Sequence, residues 1–438
     1  MKLVISIFSL SILFSIATLH AQETMPITQA EALQKVLKDN NSLKISVEAF
    51  NEARADYRQT NAVFLPNISV SHSGFATTNP LMAFGAKLNQ ESVTLADLSP
   101  DALNNPSQTQ NFATIFEVQQ PILNADAIYK RKSAKHQMEA KALQTERTKD
   151  YITFELGKAY MQLQLAYKAV DVLEKAYEST NANLQLAQNS FKQGYIQRAD
   201  VLLVEVRVTE VKSQLQSAKS NVKNASNYLS FLMNDTSDVT LRPTDSLQLK
   251  ASTMEQVSVI SQERADIKAM SLATSAYEQM YKSDKLSFVP SLNAFGSYQM
   301  FDKDIFEFGA SGYLFGAELK WNILEGTKRF GKTQKSKASY EKSKLEYDQY
   351  LDESTLELNK TLRLLEDNST RLEFSQLAME QSGEALRIRT NRFKAGLEKT
   401  TDLLIAETQY AQKQLEYYQT VFNYNITKTY LTYLTTTN

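Results

Sequence analysis

The amino-acid sequence predicts an all-α dominated protein with a membrane β-barrel, in which four short strands join long coiled-coil helices and the whole pattern occurs twice. Three observations predict this class. Apolar residues repeat with gaps of three and four over long stretches, four short segments alternate apolar and polar residues, and a set of landmarks recurs in the same order in both halves. The first pattern is typical of coiled-coil helices and the second of strands.

The longest helical pattern turns at Gly194. Residues 163–191 and 201–232 carry apolar side chains at the 3.5-residue period that keeps one seam on a partner helix, and only Thr180 interrupts the first seam. Two seams of matched length around a short turn predict an antiparallel helical hairpin. A helix over residues 125–190 would extend roughly 100 Å at about 1.5 Å per residue, a length that a compact soluble domain does not use.

The N-terminal end predicts export. Lys2 precedes an apolar run, and Leu19-His20-Ala21 stands before Gln22, which fits cleavage after Ala21. Residues 1–21 are therefore expected to be a signal peptide. The alternative, a transmembrane anchor, requires about 20 apolar residues, and the run is shorter.

Composition excludes several function classes. With 48 basic and 49 acidic residues the formal net charge is −1, which offers no electrostatic footprint for nucleic acid. The chain has no cysteine, so disulfides, thiolate metal sites and thiol catalysis are excluded. His72 and His136, the histidines that remain after signal cleavage, lack clustered partners, so neither a metal site nor a catalytic site is expected. We therefore predict no enzymatic activity and no cofactor.

The first repeat is predicted over residues 22–234. It begins with a helix, for which Thr28 and Glu31 have capping-box spacing, and which can run to about residue 64 with a break near Asn40-Asn41. The rest of the repeat consists of a strand at 67–76, a long proline-containing loop at 76–111, a strand at 112–120 that ends at Pro121, and the hairpin whose tip lies near 194. An irregular connector, 235–251, follows.

The second repeat is predicted over residues 252–438, with a helix, strands at 291–300 and 311–321, and a hairpin whose tip lies near 396. Three ordered landmarks relate it to the first repeat. These are Phe64-Leu65-Pro66 with Phe288-Val289-Pro290, Phe116-Glu117-Val118 with Ala317-Glu318-Leu319, and Asn189 to Gly194 with Asn391 to Gly396.

The strands have the length of tilted membrane strands, about nine to eleven residues. On the last strand, Tyr313, Phe315 and Trp321 share one face and Glu318 lies on the other, as expected of a lipid-facing strand with aromatic girdles. Four strands cannot close a barrel, and open edges cannot lie in lipid, so a barrel has to be shared among subunits. An ordinary soluble sheet with one buried face explains the alternation of each strand equally well.

With these landmarks, nearly the whole mature sequence resembles the TolC family of outer-membrane efflux proteins. The resemblance is carried by the duplicated Phe-x-Pro strand starts and by the two tips, Phe191-Lys192-x-Gly194 through Leu202 and Phe393-Lys394-x-Gly396 through Leu404. It implies a homotrimer whose four strands per chain form one twelve-stranded barrel in outer-membrane lipid. It also implies a coiled-coil tunnel that extends into the periplasm.

The resemblance further implies a passive exit duct for efflux or type I secretion, docked by a periplasmic adaptor and an inner-membrane transporter. The adaptor would dock at the tips, marked by Gly194, Gly396, Phe191 and Phe393. The pore entrance would involve the residues that follow the two turns, namely Arg198, Asp200, Glu398, Asp402 and Ile405.

The entrance departs from the family pattern at two positions. Asp402 matches the first position of a double acidic ring, but Ile405 occupies the second. Glu398 stands where the family pattern has a basic latch residue, and Arg198 of the opposing tip is the candidate partner for Glu398. The glycines also fit helix C-caps with positive φ, and Asp200 and Asp402 also fit helix N-caps. The alternative function is a secreted or periplasmic coiled-coil spacer without a barrel; a cell-wall hydrolase is a more distant alternative.

Overall fold

The computed structural model describes residues 24–249 and 259–437. The predicted signal peptide and the last two positions of the predicted connector lie outside the described residues. Helices dominate the described part, and the two longest, α5 and α8, each continue for more than sixty residues without a break. The strands are β1 Thr24–Ile27, β2 Asn67–Thr77, β3 Thr109–Leu123, β4 Thr240–Pro243, β5 Ser291–Asp302 and β6 Ala310–Lys320. The helices are α1 Gln29–Asp39, α2 Asn41–Gln59, α3 Pro80–Asn89, α4 Pro100–Asn104, α5 Ala125–Lys192, α6 Arg198–Leu232, α7 Ala265–Leu286, α8 Lys328–Lys394 and α9 Thr400–Thr435.

The chain divides into two compact units. The first comprises the described residues within Met1–Asn41, Tyr151–Gln256 and Lys360–Tyr433. The second comprises those within Ser42–Asp150, Val257–Asn359 and Leu434–Asn438. The helical turns at Gly194 and Gly396 therefore belong to the first unit, and the four-stranded sheet belongs to the second.

The N-terminal helix begins and breaks where the sequence predicts. The Thr28 backbone N–H donates to Glu31 Oε2 at 2.9 Å, and the Glu31 N–H donates to Thr28 Oγ1 at 3.1 Å, which completes the capping box. The helix breaks at Asn40, whose buried side chain donates to the Leu232 carbonyl at 2.8 Å. The break therefore places a polar group where it satisfies the end of α6.

The second unit contains an antiparallel sheet in the order β2-β3-β5-β6. The pairing places one residue of each strand in a transverse row, and successive rows alternate between the two faces of the sheet. One such row consists of Val70, Phe116, Tyr298 and Tyr313, and the next consists of Ser69, Glu117, Ser297 and Leu314. The first row is thus apolar, and the second is polar on three of its four strands.

Strand β3 is longer than predicted. The expectation that Pro121 ends it is wrong, because a register shift between Pro121 and Leu123 lets the strand continue to Leu123. Proline lacks an N–H for the ladder and is tolerated at such irregular positions.

The segment between β2 and β3, predicted as a loop, contains helices α3 and α4. Pro80 and Pro100 stand at the start of these helices, where the missing N–H costs nothing, and Asn79 and Ser99 cap them. The Gln90 side chain then donates to the Gln110 carbonyl at 2.8 Å and so ties this segment to β3. Pro80 and Pro100 therefore initiate helices within a segment that was predicted to be a loop.

An arginine braces the corner between α2 and β2, and another braces the corner between α7 and β5. Arg131 lies over the rings of Tyr57 and Phe64 and donates to the Asn61 side chain at 2.5 Å. Arg329 lies 4.3 Å from the centre of the Phe288 ring and donates to backbone carbonyls on both sides of the corner. Planar guanidinium groups suit such combined stacking and donation.

The first unit is built on an apolar core between α1, α5 and α6, together with a two-stranded parallel sheet. Tyr160 and Leu163 of α5 pack there with Leu229 of α6, and all three are almost fully buried. Strand β4 pairs with β1, so part of the connector predicted to be irregular is a strand. The pairing partner lies more than two hundred residues away in the sequence, so no local pattern reveals it.

Removal of the buried Tyr160 hydroxyl should destabilise the first unit. This hydroxyl lies 2.5 Å from Asp245 Oδ1 and 3.1 Å from the Ile27 carbonyl oxygen. Tyr160→Phe leaves these acceptors without their donor, and we expect a loss of about 1–2 kcal/mol in the free energy of unfolding. Denaturant unfolding measures the loss, and Tyr195→Phe at an exposed tyrosine is the control. Equal stability of the two variants would contradict the assignment.

Candidate functional site

The turn between α5 and α6 is a glycine-capped helix end. Gly194 has a φ of +79°. Its N–H donates to the Phe191 carbonyl at 2.9 Å, and the Tyr195 N–H donates to the Ser190 carbonyl at 2.9 Å. This pair of hydrogen bonds is the Schellman motif, which satisfies the last carbonyls of α5.

The turn between α8 and α9 has the same geometry. Gly396 has a φ of +73°, its N–H donates to the Phe393 carbonyl at 2.9 Å, and the Leu397 N–H donates to the Arg392 carbonyl at 2.9 Å. A Cβ atom added at Gly194 or Gly396 would meet nothing within 4 Å. Glycine is therefore needed at both turns for its backbone conformation and not for space. The predicted positive φ is confirmed at both positions.

The two tip phenylalanines differ in exposure. Phe191 is 40% exposed, whereas Phe393 is 9% exposed. Next to the turns, Tyr195 and Leu397 are large exposed side chains. Each tip thus presents apolar surface, but the residues that present it are not the same in the two tips.

Asp200 and Asp402 lie in the first turns of α6 and α9. Asp200 is the third residue of its helix and accepts the Gln197 N–H at 3.1 Å, so it closes the helix start from inside and does not occupy the N-cap position itself. Asp402 is likewise the third residue of α9, and its own N–H donates to the Lys399 carbonyl at 3.1 Å. The N-cap interpretation of both aspartates is wrong, because each lies three residues after the residue that precedes its helix.

Glu398 is held by arginines of its own hairpin. Its carboxylate lies 2.9 Å from Arg389 Nη1 and 2.8 Å from Arg392 Nε, and its side chain is 11% exposed. The hydrogen bond from Arg392 lowers the pKa of Glu398. The ion pairs of Glu398 with Arg389 and Arg392 are therefore fully formed at neutral pH, and they weaken only as the pH falls towards the lowered pKa of Glu398.

Within the chain, Arg198 and Glu398 each have other ion-pair partners, and their pairing across the entrance stays a prediction. Arg198 Nη1 lies 3.5 Å from Glu205 Oε1 on its own helix, while Glu398 is occupied by Arg389 and Arg392. Two arginines three residues apart on α8 share a helix face, and the turn at Gly396 returns Glu398 to that face. The first contact of each charged tip residue is therefore within its own hairpin.

Asp402 and Ile405 both retain exposed surface. Asp402 Oδ2 lies 3.9 Å from Arg389 Nη1, and its side chain is 41% exposed. Ile405, one turn further along α9, is 55% exposed. Arg389 therefore offsets part of the charge that Asp402 places in the first turn of α9.

A small apolar cluster joins α9 to the first hairpin just inside the tips. Ala187, Val201 and Val204 are buried there, and Leu404 packs against them. One turn further on, Glu407 of α9 accepts a hydrogen bond from Ser179 Oγ of α5 at 2.8 Å. This carboxylate is not among the site residues predicted from the sequence, because no local pattern separates it from the other charged residues of a long helix.

Nothing in the described ranges suggests a metal centre. No group of three or more histidine, cysteine or acidic side chains there has metal-binding geometry. His72 Nδ1 lies 2.8 Å from Thr114 Oγ1, and His136 Nδ1 lies 3.4 Å from Glu139 Oε2. Nor does any helix of residues 24–249 and 259–437 combine the length and apolarity that a membrane span requires.

The sequence model of one family covers most of the chain. It is described as outer membrane efflux protein, and it matches residues 32–235 and 257–435. The chain belongs to the outer membrane efflux protein family. The family resemblance carried by the strand starts and the tips is confirmed, and the protein is an efflux exit channel of the outer membrane. The family is one of transport channels and not a class of enzymes.

Solved structures with the same fold include other outer-membrane channels. Crystal structures of CusC, described in terms of folding and transmembrane channel formation, match with a TM-score of 0.79 at 16% identity, over 94% of this chain and 93% of that chain. The Campylobacter jejuni CmeC outer membrane channel matches with a TM-score of 0.79 at 17% identity, over 93% and 85%. The Neisseria gonorrhoeae MtrE outer membrane channel, in its open state, matches with a TM-score of 0.76 at 15% identity, over 93% and 89%. No curated protein sequence matches the chain.

The conformation of the tip glycines gives a direct test. Gly194→Ala and Gly396→Ala place a Cβ in the left-handed region, and we expect each to lower the free energy of unfolding by about 1–2 kcal/mol. Gly331→Ala is the matched control, because Gly331 lies inside α8 and an added Cβ there meets nothing within 4 Å. That variant should be neutral or more stable by up to about 1 kcal/mol. Denaturant unfolding distinguishes the two classes, and a loss at Gly331 equal to that at the tips would refute the assignment.

Proposed function

We propose that three copies of this chain assemble into one duct, with a twelve-stranded barrel in the outer membrane and a helical tunnel through the periplasm. The observation that carries this proposal is the four-stranded sheet, whose β2 and β6 are edge strands. Backbone groups along such edges have no partner in lipid, so the sheet has to be completed by strands of other copies. Three sheets of four strands supply a barrel wider than the eight-stranded barrels whose interior is filled by side chains.

The two faces of the sheet support lipid outside and water inside. In the row of Val70, Phe116, Tyr298 and Tyr313 every side chain is at least 42% exposed, as is expected of an apolar row in contact with lipid. Phe315 on the same face of β6 and Trp321, which directly follows β6, are also exposed and suit an aromatic girdle. The neighbouring row is polar at Ser69, Glu117 and Ser297, which suits a hydrated lumen, and it ends in Leu314 on β6.

The corners of the sheet support the proposed repeats, 22–234 and 252–438 with the connector 235–251 between them. The Gln120 side chain donates to the Phe64 carbonyl at 3.2 Å, and Trp321 Nε1 donates to the Phe288 carbonyl at 3.0 Å. Gln120 and Trp321 stand at the same offset, 201 residues, as the sequence landmarks of β3 and β6. The carbonyls of Phe64 and Phe288, which are equivalent in the two halves, thus accept hydrogen bonds from two different kinds of side chain.

The tips are the proposed entrance and the docking surface for a periplasmic adaptor, which in turn engages an inner-membrane transporter. Exposed Phe191, Tyr195 and Leu397 supply apolar anchors for such a partner. Three copies of Asp402 would surround the mouth, and for cargo to enter the tip helices have to part. The duct itself needs no energy source, because the transporter supplies it.

The lipid-facing row gives the sharpest test of the barrel. Arginine on a lipid face near the bilayer midplane costs about 2–4 kcal/mol, whereas a lumen position accepts it. Val70→Arg should therefore abolish the heat-sensitive, detergent-requiring trimer in the outer-membrane fraction. Ser69→Arg, one residue earlier and opposite Glu117, should leave that trimer in place. A monomeric wild-type protein in the soluble fraction would overturn the proposal, as would equal behaviour of the two variants.

Asp402 gives a second, independent test at the entrance. Rings of carboxylates favour cations in pores, and Arg389 offsets only part of the charge on Asp402. We expect Asp402→Ala to reduce the cation preference of the reconstituted trimer, measured as the reversal potential in a salt gradient. The matched control is Asp171→Ala, which removes an exposed aspartate of α5 paired with Lys175. An unchanged reversal potential in Asp402→Ala would show that Asp402 does not contribute to the ion selectivity of the entrance.

A further inference from the structure

Glu407 is a buried carboxylate inside the helical seam of α9. It is 6% exposed, and the neighbouring buried positions of the same stripe are Leu403, Ala406 and Ala411. Carboxylates are rarely buried to this extent unless they are fully paired or hydrogen-bonded. The position therefore requires an explanation beyond packing.

The carboxylate joins the second hairpin to the first. Its Oε1 atom accepts from Ser179 Oγ at 2.8 Å and from Asn183 Nδ2, both on α5 and one turn apart. The apolar contact of Leu404 with Val201 and Val204 lies one turn nearer the tip. Glu407 is thus the polar part of a two-part contact that holds α9 against the hairpin of α5 and α6.

The charge of Glu407 is incompletely compensated. Its Oε2 atom is buried and has no hydrogen-bond partner, and neither has Nε of the buried Arg207. Arg207 directs its Nη1 to Glu210 at 3.3 Å. Leaving a buried polar atom unsatisfied is costly, and more so when it carries charge.

Burial has the larger effect on the titration of this group. It raises the pKa of Glu407, while Ser179, Arg207 and Asn183 lower it by smaller amounts. On α5 the partners are neutral, on α6 the charged groups are Arg207 and its partner Glu210, and the α9 neighbours are apolar. Because the packed state prefers the protonated carboxyl, the packing is most favourable at low pH and weakens as the pH rises through the raised value.

We propose that Glu407 is a positioning residue of the entrance, which holds α9 to α5 through Ser179 and Asn183. Its buried negative charge, which is only half satisfied, weakens that contact, so that the tip helices can part. The inference rests on the proposed function, since it concerns the opening of the proposed duct. At neutral pH the ionised carboxylate regains water when the helices separate, which offsets part of the cost of breaking the contact. A neutral side chain of the same shape keeps the hydrogen bonds to α5, but it does not gain the hydration of a charge when the helices separate.

The test is Glu407→Gln in the full-length trimer, recorded as single channels in planar bilayers at pH 5 and pH 8. The wild-type open probability should rise with pH. Glu407→Gln should stay near the low wild-type value of pH 5 at both pH values, which is a several-fold reduction relative to the wild type at pH 8. Glu416→Gln is the matched control, because it removes the same charge from an exposed position of α9. It should follow the wild type.

A second measurement keeps the two proposals distinguishable. The thermal unfolding midpoint of Glu407→Gln should exceed that of the wild type at pH 8 and approach it at pH 5, whether or not the protein conducts. Asn183→Ala removes one donor to the carboxylate and should open more readily than the wild type at pH 8. Wild-type trimers that never conduct would overturn the proposed function, while the unfolding midpoints still decide the inference. A Glu407→Gln variant with wild-type pH dependence, or one that opens more, would overturn the inference alone.

Discussion

The backbone groups along the edges of a lipid-facing sheet impose the constraint on which the rest of this structure depends. Each unpaired N–H or C=O in hydrocarbon costs several kcal/mol, so a sheet that meets lipid cannot end in an open strand. In this chain β2 and β6 are the edges, and the apolar row through Val70 and Tyr313 is exposed. In the proposed barrel, closure by further copies would follow from the chemistry of the peptide bond and not from any particular side chain.

Closure by several copies also determines how the tips are used. If the barrel is shared, each Gly194 and Gly396 turn occurs once per copy around a common axis. The ion pairs nearest the turns lie within single hairpins: Glu398 is held by Arg389 and Arg392, and Arg198 by Glu205. The hairpins are joined instead by the Leu404 contact and by the hydrogen bonds of Glu407. Separation of the tips would therefore break the contacts of Leu404 and Glu407 between hairpins and leave the ion pairs within each hairpin intact.

The sequence predicts those elements whose determinants are local. The Thr28 capping box, the break at Asn40 and the positive φ of both tip glycines depend on a few neighbouring residues and are confirmed. The failures involve distant partners or competing local roles. Strand β4 depends on β1, which lies far away in the chain. Pro80 and Pro100, two of the three prolines between β2 and β3, act as helix starts, a role that composition alone does not separate from helix breaking.

The candidate site was less predictable than the fold for a related reason. The choice of ion-pair partner depends on which helix face a turn returns to, so within the chain Glu398 pairs with Arg389 and Arg392. Glu407 resembles any other charged residue of a long helix until its neighbours from α5 are known. The entrance roles of Asp402 and Ile405 stay predictions, because a single chain does not define a pore.

The corners between helix and strand show most clearly what both halves keep. A helix end leaves carbonyls without partners, and at both corners the carbonyl of the phenylalanine before the x-Pro pair receives a side-chain donor from the end of another strand. That donor is an amide in Gln120 and an indole in Trp321. The indole donates one hydrogen bond and presents a large apolar body, which suits an exposed position at a membrane boundary. The requirement that both halves share is therefore a donor to one backbone carbonyl, and the residue that supplies it is free to differ with the surface it faces.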